Sequence, residues 1–121
     1  MVFTVAFFRT ENGESPVETY IDNLSEPQKN KVFAYIMRLE EVGYELKRPT
    51  GDYLGDKTGL YELRPGRHRI VYYFYARRYI VLLHAFLKRT DEIPVSEIKI
   101  ALRRKEDCES MMRHKQVDLN D

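Results

Sequence analysis

Apolar residues recur at strand spacing in two parts of the chain and at helical spacing in two others. Residues 2–8 (VFTVAFF) form a short apolar run bounded by Arg9-Thr10 and the turn-like Glu11-Asn12-Gly13-Glu14, which predicts a first strand. Both of its faces are apolar, a pattern that suits a strand inside the sheet better than an exposed edge. Ser15-Pro16-Val17-Glu18 then reads as a helix start, with a serine N-cap, proline in the first turn and a glutamate placed to close a capping box. That short helix ends near Asn23. Ser25-Glu26-Pro27-Gln28 repeats the device, and the second helix runs to about Val42, with Val32, Phe33, Ile36, Met37 and Leu39 as its apolar side and Gly43 as its stop. So short a link predicts a helical hairpin packed on one face of a sheet.

From Tyr44 to Gly59 no period is visible, and prolines, glycines and charges alternate. This predicts a loop, long enough without structure of its own to be a functional candidate, with Lys47, Arg48 and Lys57 as its cations. Residues 60–64, 68–76 and 79–87 are rich in β-branched and aromatic side chains and are separated by short polar breaks. They predict a three-stranded antiparallel meander whose Pro65-Gly66 turn brings Arg64, Arg67 and Arg69 to one hairpin end. Counting by two puts Arg69, Val71, Tyr73 and Tyr75 on one face of the middle strand. On the last strand it puts Leu82, His84, Phe86 and Lys88 opposite Val81, Leu83, Ala85 and Leu87. Both sheet faces come out largely apolar. If the hairpin covers one, the other is left as an exposed apolar and basic surface of the kind that marks a binding site. After Thr90 or Asp91 as a cap, a third helix spans about 94–114, with Val95, Ile98, Ile100 and Leu102 as its stripe and a polar, frayed tail at 115–121. The fold class is therefore α+β, in the order strand-helix-helix-strand-strand-strand-helix, with a small, mainly antiparallel sheet.

The 121 residues suffice for one domain, residues 1–121, with a core that needs no staple. No apolar run reaches membrane-spanning length and the N-terminus has no signal-peptide pattern, so a cytoplasmic protein without membrane contact is expected. The single cysteine, Cys108, excludes an internal disulfide and reads as a helix spectator. Net charge is only +1, yet it is unevenly spread. Residues 1–43 carry 4 Lys/Arg against 7 Asp/Glu, residues 44–105 carry 14 against 7, and residues 106–121 carry 2 against 5. A basic centre over the sheet points to an anionic partner such as nucleic acid, or else to charges that solvate strand ends. Glycine-rich phosphate loops, paired cysteines and HExxH are missing, and His68, His84 and His114 are scattered, so neither a metal nor a cofactor is expected.

The element order, together with Glu62-Leu63-Arg64, Arg69 to Tyr72, and Leu82 to Arg89 followed by Thr90 and Pro94, resembles the RelE/ParE toxin superfamily, specifically its HigB-like, phage-derived branch. The resemblance spans about residues 1–105. It implies a RelE-like fold and a toxin of a type II toxin-antitoxin pair that cleaves mRNA in the ribosomal decoding site. It further implies attack by the message's own 2′-hydroxyl on the adjacent phosphate, without a metal. Carried over by position, Arg69 and Arg89 match phosphate-stabilising arginines and Arg64 a basic residue of the preceding strand. Lys57, Arg67 and Lys88 are candidates for backbone contacts, and Tyr73 for stacking on a base or donating a proton. Glu62 and His84 are the candidates for proton transfer, Glu62 being equally a salt-bridge partner and His84 equally a core histidine. The implied partners are a cognate helix-turn-helix, HigA-like antitoxin, mRNA on the ribosome, and operator DNA only through the antitoxin complex. Two other readings stay open: a ParE-like toxin that inhibits DNA gyrase without catalysis, and a nucleic-acid-binding phage accessory domain.

Overall fold

The computed structural model describes residues 2–55 and 57–120 and has the α+β architecture of a RelE-like fold, a five-stranded mixed sheet with three helices. The elements are β1 (Thr4–Phe7), α1 (Pro16–Asp22), α2 (Glu26–Val42), β2 (Gly51–Tyr53), β3 (Tyr61–Leu63), β4 (His68–Ala76), β5 (Tyr79–Leu87) and α3 (Val95–Asn120). The sheet order is β1-β5-β4-β3-β2, with β1 parallel to β5 and every other pair antiparallel.

The helical hairpin forms as its caps predict, with one difference. Ser25 accepts a hydrogen bond from the Gln28 amide, whereas the Ser15 hydroxyl makes no capping bond and Glu18 instead pairs with Arg9 at 2.9 Å. Gly43 stops α2 with a positive φ of 51°, and a side chain there would run into the Phe3 ring. Of the predicted α2 stripe, Val32, Ile36 and Leu39 are buried, while Phe33 and Met37 lie one step round the helix and face solvent. With Ile70, Tyr72, Ile80 and Leu82 from the sheet and Val17 and Ile21 from α1, the buried residues make the first core.

Four expectations about the sheet are corrected. First, β1 is an edge strand and not an interior one. Its two apolar faces are accounted for by helices above and below the sheet: Phe3, Val5 and Phe7 pack on the hairpin core and the following Phe8 on the other. Its outer side is tied by the Phe3 amide, which donates to the Glu40 carbonyl of α2. Second, the presumed loop from Tyr44 to Gly59 contains a 3-10 turn at Gly43–Glu45 and strand β2, which pairs with β3. Within it Arg48 is neutralised by Asp52 at 2.7 Å, and this bond holds the Asp52 carboxyl below its usual range. Third, the second sheet face is not exposed. α3 lies over it and builds a second core from Val71, Tyr73, Val81, Leu83, Ala101 and Cys108.

Fourth, the alternation along β5 is broken. Val71 pairs with His84 but Tyr72 pairs with Leu82, so Leu83 is an extra residue on β5, a β-bulge. Before the bulge Ile80 and Leu82 face the hairpin and Val81 and Leu83 face α3. After it the parity reverses: Ala85 packs on the hairpin core and Phe86 on the α3 core. α3 starts at Val95, after Thr90 and Asp91, and neither of these caps it; the Thr90 hydroxyl donates to the Glu92 carbonyl. Val95 and Ile100 of its predicted stripe are exposed, while Ala101 and Cys108 are its buried contacts. The helix continues through Asn120 rather than ending near His114; the side chain of His114, and Asp121, lie outside the described residues. Among the described residues no helix is long and apolar enough to cross a membrane.

Candidate functional site

The β3–β4 turn builds the site. The Pro65 carbonyl accepts from the His68 amide, and Gly66 takes the positive φ (61°) that this tight turn requires. The turn then fixes Arg69, whose Nη1 donates to the Gly66 and His68 carbonyls at 2.8 Å each. Across the sheet, Glu62 lies beside Val71, and Val71 beside His84, so these three form one row on the face that α3 covers. In the next row Arg69 lies beside Phe86, and continuing the β3 register brings Arg64 to the other side of Arg69.

Glu62 links this row to the arginines of the next. It is 5% exposed and faces two guanidiniums, Arg69 Nε at 3.7 Å and Arg64 Nε at 3.8 Å. Neither distance is a hydrogen bond, and Glu62 Oε1 and Arg69 Nε are buried without hydrogen-bond partners. Burial pushes the Glu62 carboxyl pKa up, and the nearby charges of Arg69, Arg64 and Lys88 only partly offset this. Burial also lowers the Arg69 pKa, with Glu62 acting in the opposite sense. A buried carboxylate between two arginines can exchange a proton and can attract both guanidiniums towards itself.

Beyond Arg69 the surface opens into a depression of about 260 Å3, lined by Arg67, Arg69, Lys88, Arg89, Thr90 and Asp91. The Lys88 amide donates to the Arg67 carbonyl, which closes the end of the β4–β5 ladder and brings the 88–91 segment against the turn. Five of the predicted site residues, Arg64, Arg67, Arg69, Lys88 and Arg89, thus gather at one end of the sheet with Glu62 behind them. Thr90 and Asp91 are additions. The sequence marked both as possible helix caps, and Thr90 also as part of the family-like run, but neither as a site residue.

His84, Tyr73 and Lys57 are placed elsewhere. His84 is 8% exposed and lies under α3, with Arg104 Nη1 at 3.1 Å from its Nδ1 and Glu97 Oε1 at 3.3 Å from its Nε2. Burial lowers its pKa most; Glu97 raises it and Arg104 lowers it further. Arg104 also donates to the Leu83 carbonyl at 3.0 Å, so the bulge, the histidine and α3 are tied together. Glu97 and Arg104 are seven residues apart, two helical turns, and that spacing was the available signal for their common side. Tyr73 is 3% exposed beneath Lys105 and Cys108, which leaves no ring face for a base, so the stacking role is corrected. Burial next to Cys108 carries its hydroxyl pKa far above the usual value. Burial likewise raises the Cys108 thiol pKa, as expected of a spectator. Lys57 sits in the β2–β3 loop, beside Thr58, whose carbonyl accepts from Lys105 at the Tyr73 end of the sheet. That is four residues, or roughly 13 Å, along β4 from Arg69, outside the arginine cluster.

The arrangement, a shallow cationic depression with a buried carboxylate behind its central arginine, is suited to gripping a phosphodiester. Arginine forks engage two oxygens at once, and water has little access to Glu62. Comparison with curated proteins gives no match. A comparison with protein families matches residues 19–106 to the family described as Phage derived protein Gp49-like (DUF891). The matched span runs from within α1 to within α3 and contains every residue of the basic depression. On this match over most of its length, the chain belongs to the Gp49-like phage-derived family, a RelE/ParE-like toxin family.

Proposed function

We propose that this protein is a HigB-like toxin that cleaves mRNA on the ribosome by metal-independent attack of a 2′-hydroxyl on the adjacent phosphate. The observation that carries this reading is the convergence of Arg64 and Arg69 on the buried Glu62, with Arg67, Lys88 and Arg89 around the adjoining depression. In the proposed reaction the 2′-hydroxyl gives up its proton to Glu62 or to water and its oxygen bonds to phosphorus, while the bond to the 5′-oxygen breaks and that oxygen takes a proton from water, leaving a 2′,3′-cyclic phosphate and a 5′-hydroxyl. Negative charge grows on the non-bridging oxygens of the phosphorane, and the guanidiniums of Arg69, Arg64 and Arg89 neutralise it. Arg69 spends Nη1 on the turn and turns Nε to Glu62, so Nη2 is the nitrogen left for phosphate. Glu62 accepts the 2′-proton or holds the forks in line, and the two roles differ in their pH dependence. His84 has no part in the reaction under this reading, because it is buried beneath α3 with Arg104 on Nδ1 and Glu97 at 3.3 Å from Nε2.

Membership of a toxin-antitoxin family implies an antitoxin partner, and we assign it a helix-turn-helix, HigA-like protein that carries the pair to operator DNA. Co-expression with its cognate helix-turn-helix antitoxin is expected to give one complex on gel filtration. The main test is cleavage of messages on translating ribosomes, with mapping of the cut ends. Cuts within codons that carry 5′-hydroxyl ends are expected. Intact messages with folded protein would refute the ribonuclease reading, and inhibition of gyrase supercoiling would then identify a ParE-like toxin.

A further inference from the structure

On the hairpin side of the same sheet end lies a second depression of about 460 Å3, within the roughly 300–1,000 Å3 range of small-ligand sites. Arg67, on the β3–β4 turn, lines both depressions, so the two abut across a single side chain. The Lys31 ammonium reaches from α2 over the turn: a Cβ on Gly66 would meet its Nζ at 3.7 Å. His68 contributes its imidazole, held by the Tyr20 hydroxyl at 2.7 Å from Nδ1. When that hydroxyl donates, Nε2 carries the ring proton and is a donor to an anion. Gln28 and Gly66 complete the polar side of the lining, and the apolar part is Pro65 and Leu87. Pro65 forms part of the wall, and Leu87, a large side chain at the end of β5, is left 42% exposed. No carboxylate lines this depression, in contrast to the larger cavity beside α3, where Glu11 and Asp107 stand among the cations.

Cations on a rim beside a small apolar floor match the two parts of a nucleotide in a single strand. The cations meet the phosphate, and the floor takes an unstacked base by apolar contact. We propose that this depression is a second nucleotide subsite, holding the message nucleotide next to the scissile phosphate, with Lys31, Arg67 and His68 on its phosphate and Leu87 and Pro65 under its base. The inference rests on the ribonuclease reading and deepens it: the strand crosses the β3–β4 turn, and Arg67 contacts it on both sides.

Lys31 is exposed, so its charge reversal should leave the fold intact. With ribosome–message complexes as substrate, Lys31→Glu is expected to raise KM about tenfold and change kcat by less than about twofold, the mark of binding lost equally from ground and transition states. Lys31→Arg should restore KM. Binding of a message blocked by a 2′-O-methyl group at the cut should lose about 0.7 from its salt slope in Lys31→Glu, the share of one single-strand phosphate. Wild-type protein that fails to cleave overturns the ribonuclease reading itself. Cleavage with KM and salt slope unchanged in Lys31→Glu overturns the subsite alone. If Lys31→Glu weakens sedimentation with message-free ribosomes to the same extent, the anion is ribosomal RNA and the assignment to the message is overturned.

Discussion

Two charged clusters centre on Glu62 and His84, in the same row of one sheet face, and differ in what lies above them. Around Glu62 the partners are Arg64 and Arg69, and the surface next to Arg69 opens into a basic depression. Around His84 the partners are Glu97 and Arg104, both supplied by α3 itself. The chemistry of the two is similar, a buried ionisable group with two charged neighbours within about 4 Å, and burial dominates the pKa shift in each. Cover makes the difference. One cluster fastens a helix to a sheet, while the other is left at the open end where a ligand can approach. Perturbed titration by itself therefore does not identify a reactive group in this protein, and the position of α3 separates the two clusters by what can reach them.

The sharpest test of the comparison is at Arg69. Arg69→Ala should lower cleavage on programmed ribosomes by about a thousandfold, in the range of a lost transition-state donor. Arg69→Lys keeps a positive charge beside Glu62 without the fork and should still lose about a hundredfold. Near-wild-type activity in the lysine variant would show that the charge beside Glu62 suffices without the Nη1 bonds to the turn and the Nη2 donor.

Glu62 comes next. If it accepts the 2′-proton, the wild-type rate rises with pH through its raised pKa, and Glu62→Gln loses about a hundredfold together with that limb of the profile. If it only orients the arginines, Glu62→Gln lowers the rate by a similar factor at every pH and leaves the profile's shape unchanged.

The covered cluster should respond in stability rather than in rate. His84→Ala leaves Arg104 short of a buried partner and is expected to cost about 1–3 kcal/mol in urea unfolding, with kcat per folded molecule within about threefold of wild type. The pH dependence has a definite sign. His84 has its pKa lowered by burial below the unfolded value of 6.5, so its neutral form is favoured in the fold. Its contribution is complete above pH 6.5 and is lost as pH falls through the lowered folded pKa. Glu62, with a raised pKa, contributes in the opposite sense, and its share is lost as pH rises through the folded pKa. The informative quantity is thus the difference between wild type and His84→Gln, which should shrink between pH 7 and pH 5. A kcat that collapses in His84→Ala while stability holds would bring this cluster into the reaction. The smallest effect is expected at Lys57, exposed and outside the arginine cluster: Lys57→Ala should change cleavage by less than about twofold, since its distance from Arg69 exceeds the roughly 8–10 Å screening length.

Much of this was legible in the chain because it depends on near neighbours. Two serine–proline helix starts, the Gly43 stop and the Pro65-Gly66 turn act within a few residues of themselves, and the elements they bound appear where expected. The arginine cluster was legible for the same reason, since Arg64, Arg67 and Arg69 flank one tight turn and Lys88-Arg89 ends the strand paired with it. The errors arose where a distant partner decides the outcome. β2 is three residues long with no apolar pattern of its own, and it is a strand because β3 supplies its hydrogen bonds. The two apolar sides of β1 are equally compatible with an interior strand and with an edge strand between helical layers.

The sequence by itself determined the α+β class, the hairpin and the collection of cations at one turn, because periodicity and turn chemistry act over a few residues. Only the tertiary structure decided which titratable groups are open. The bulge at Leu83 turned His84 beneath α3, and the same helix buried Tyr73 and ended the prospect of an exposed apolar face. A strand's alternation fixes its faces only while its register is unbroken, and register belongs to the pair of strands rather than to either one.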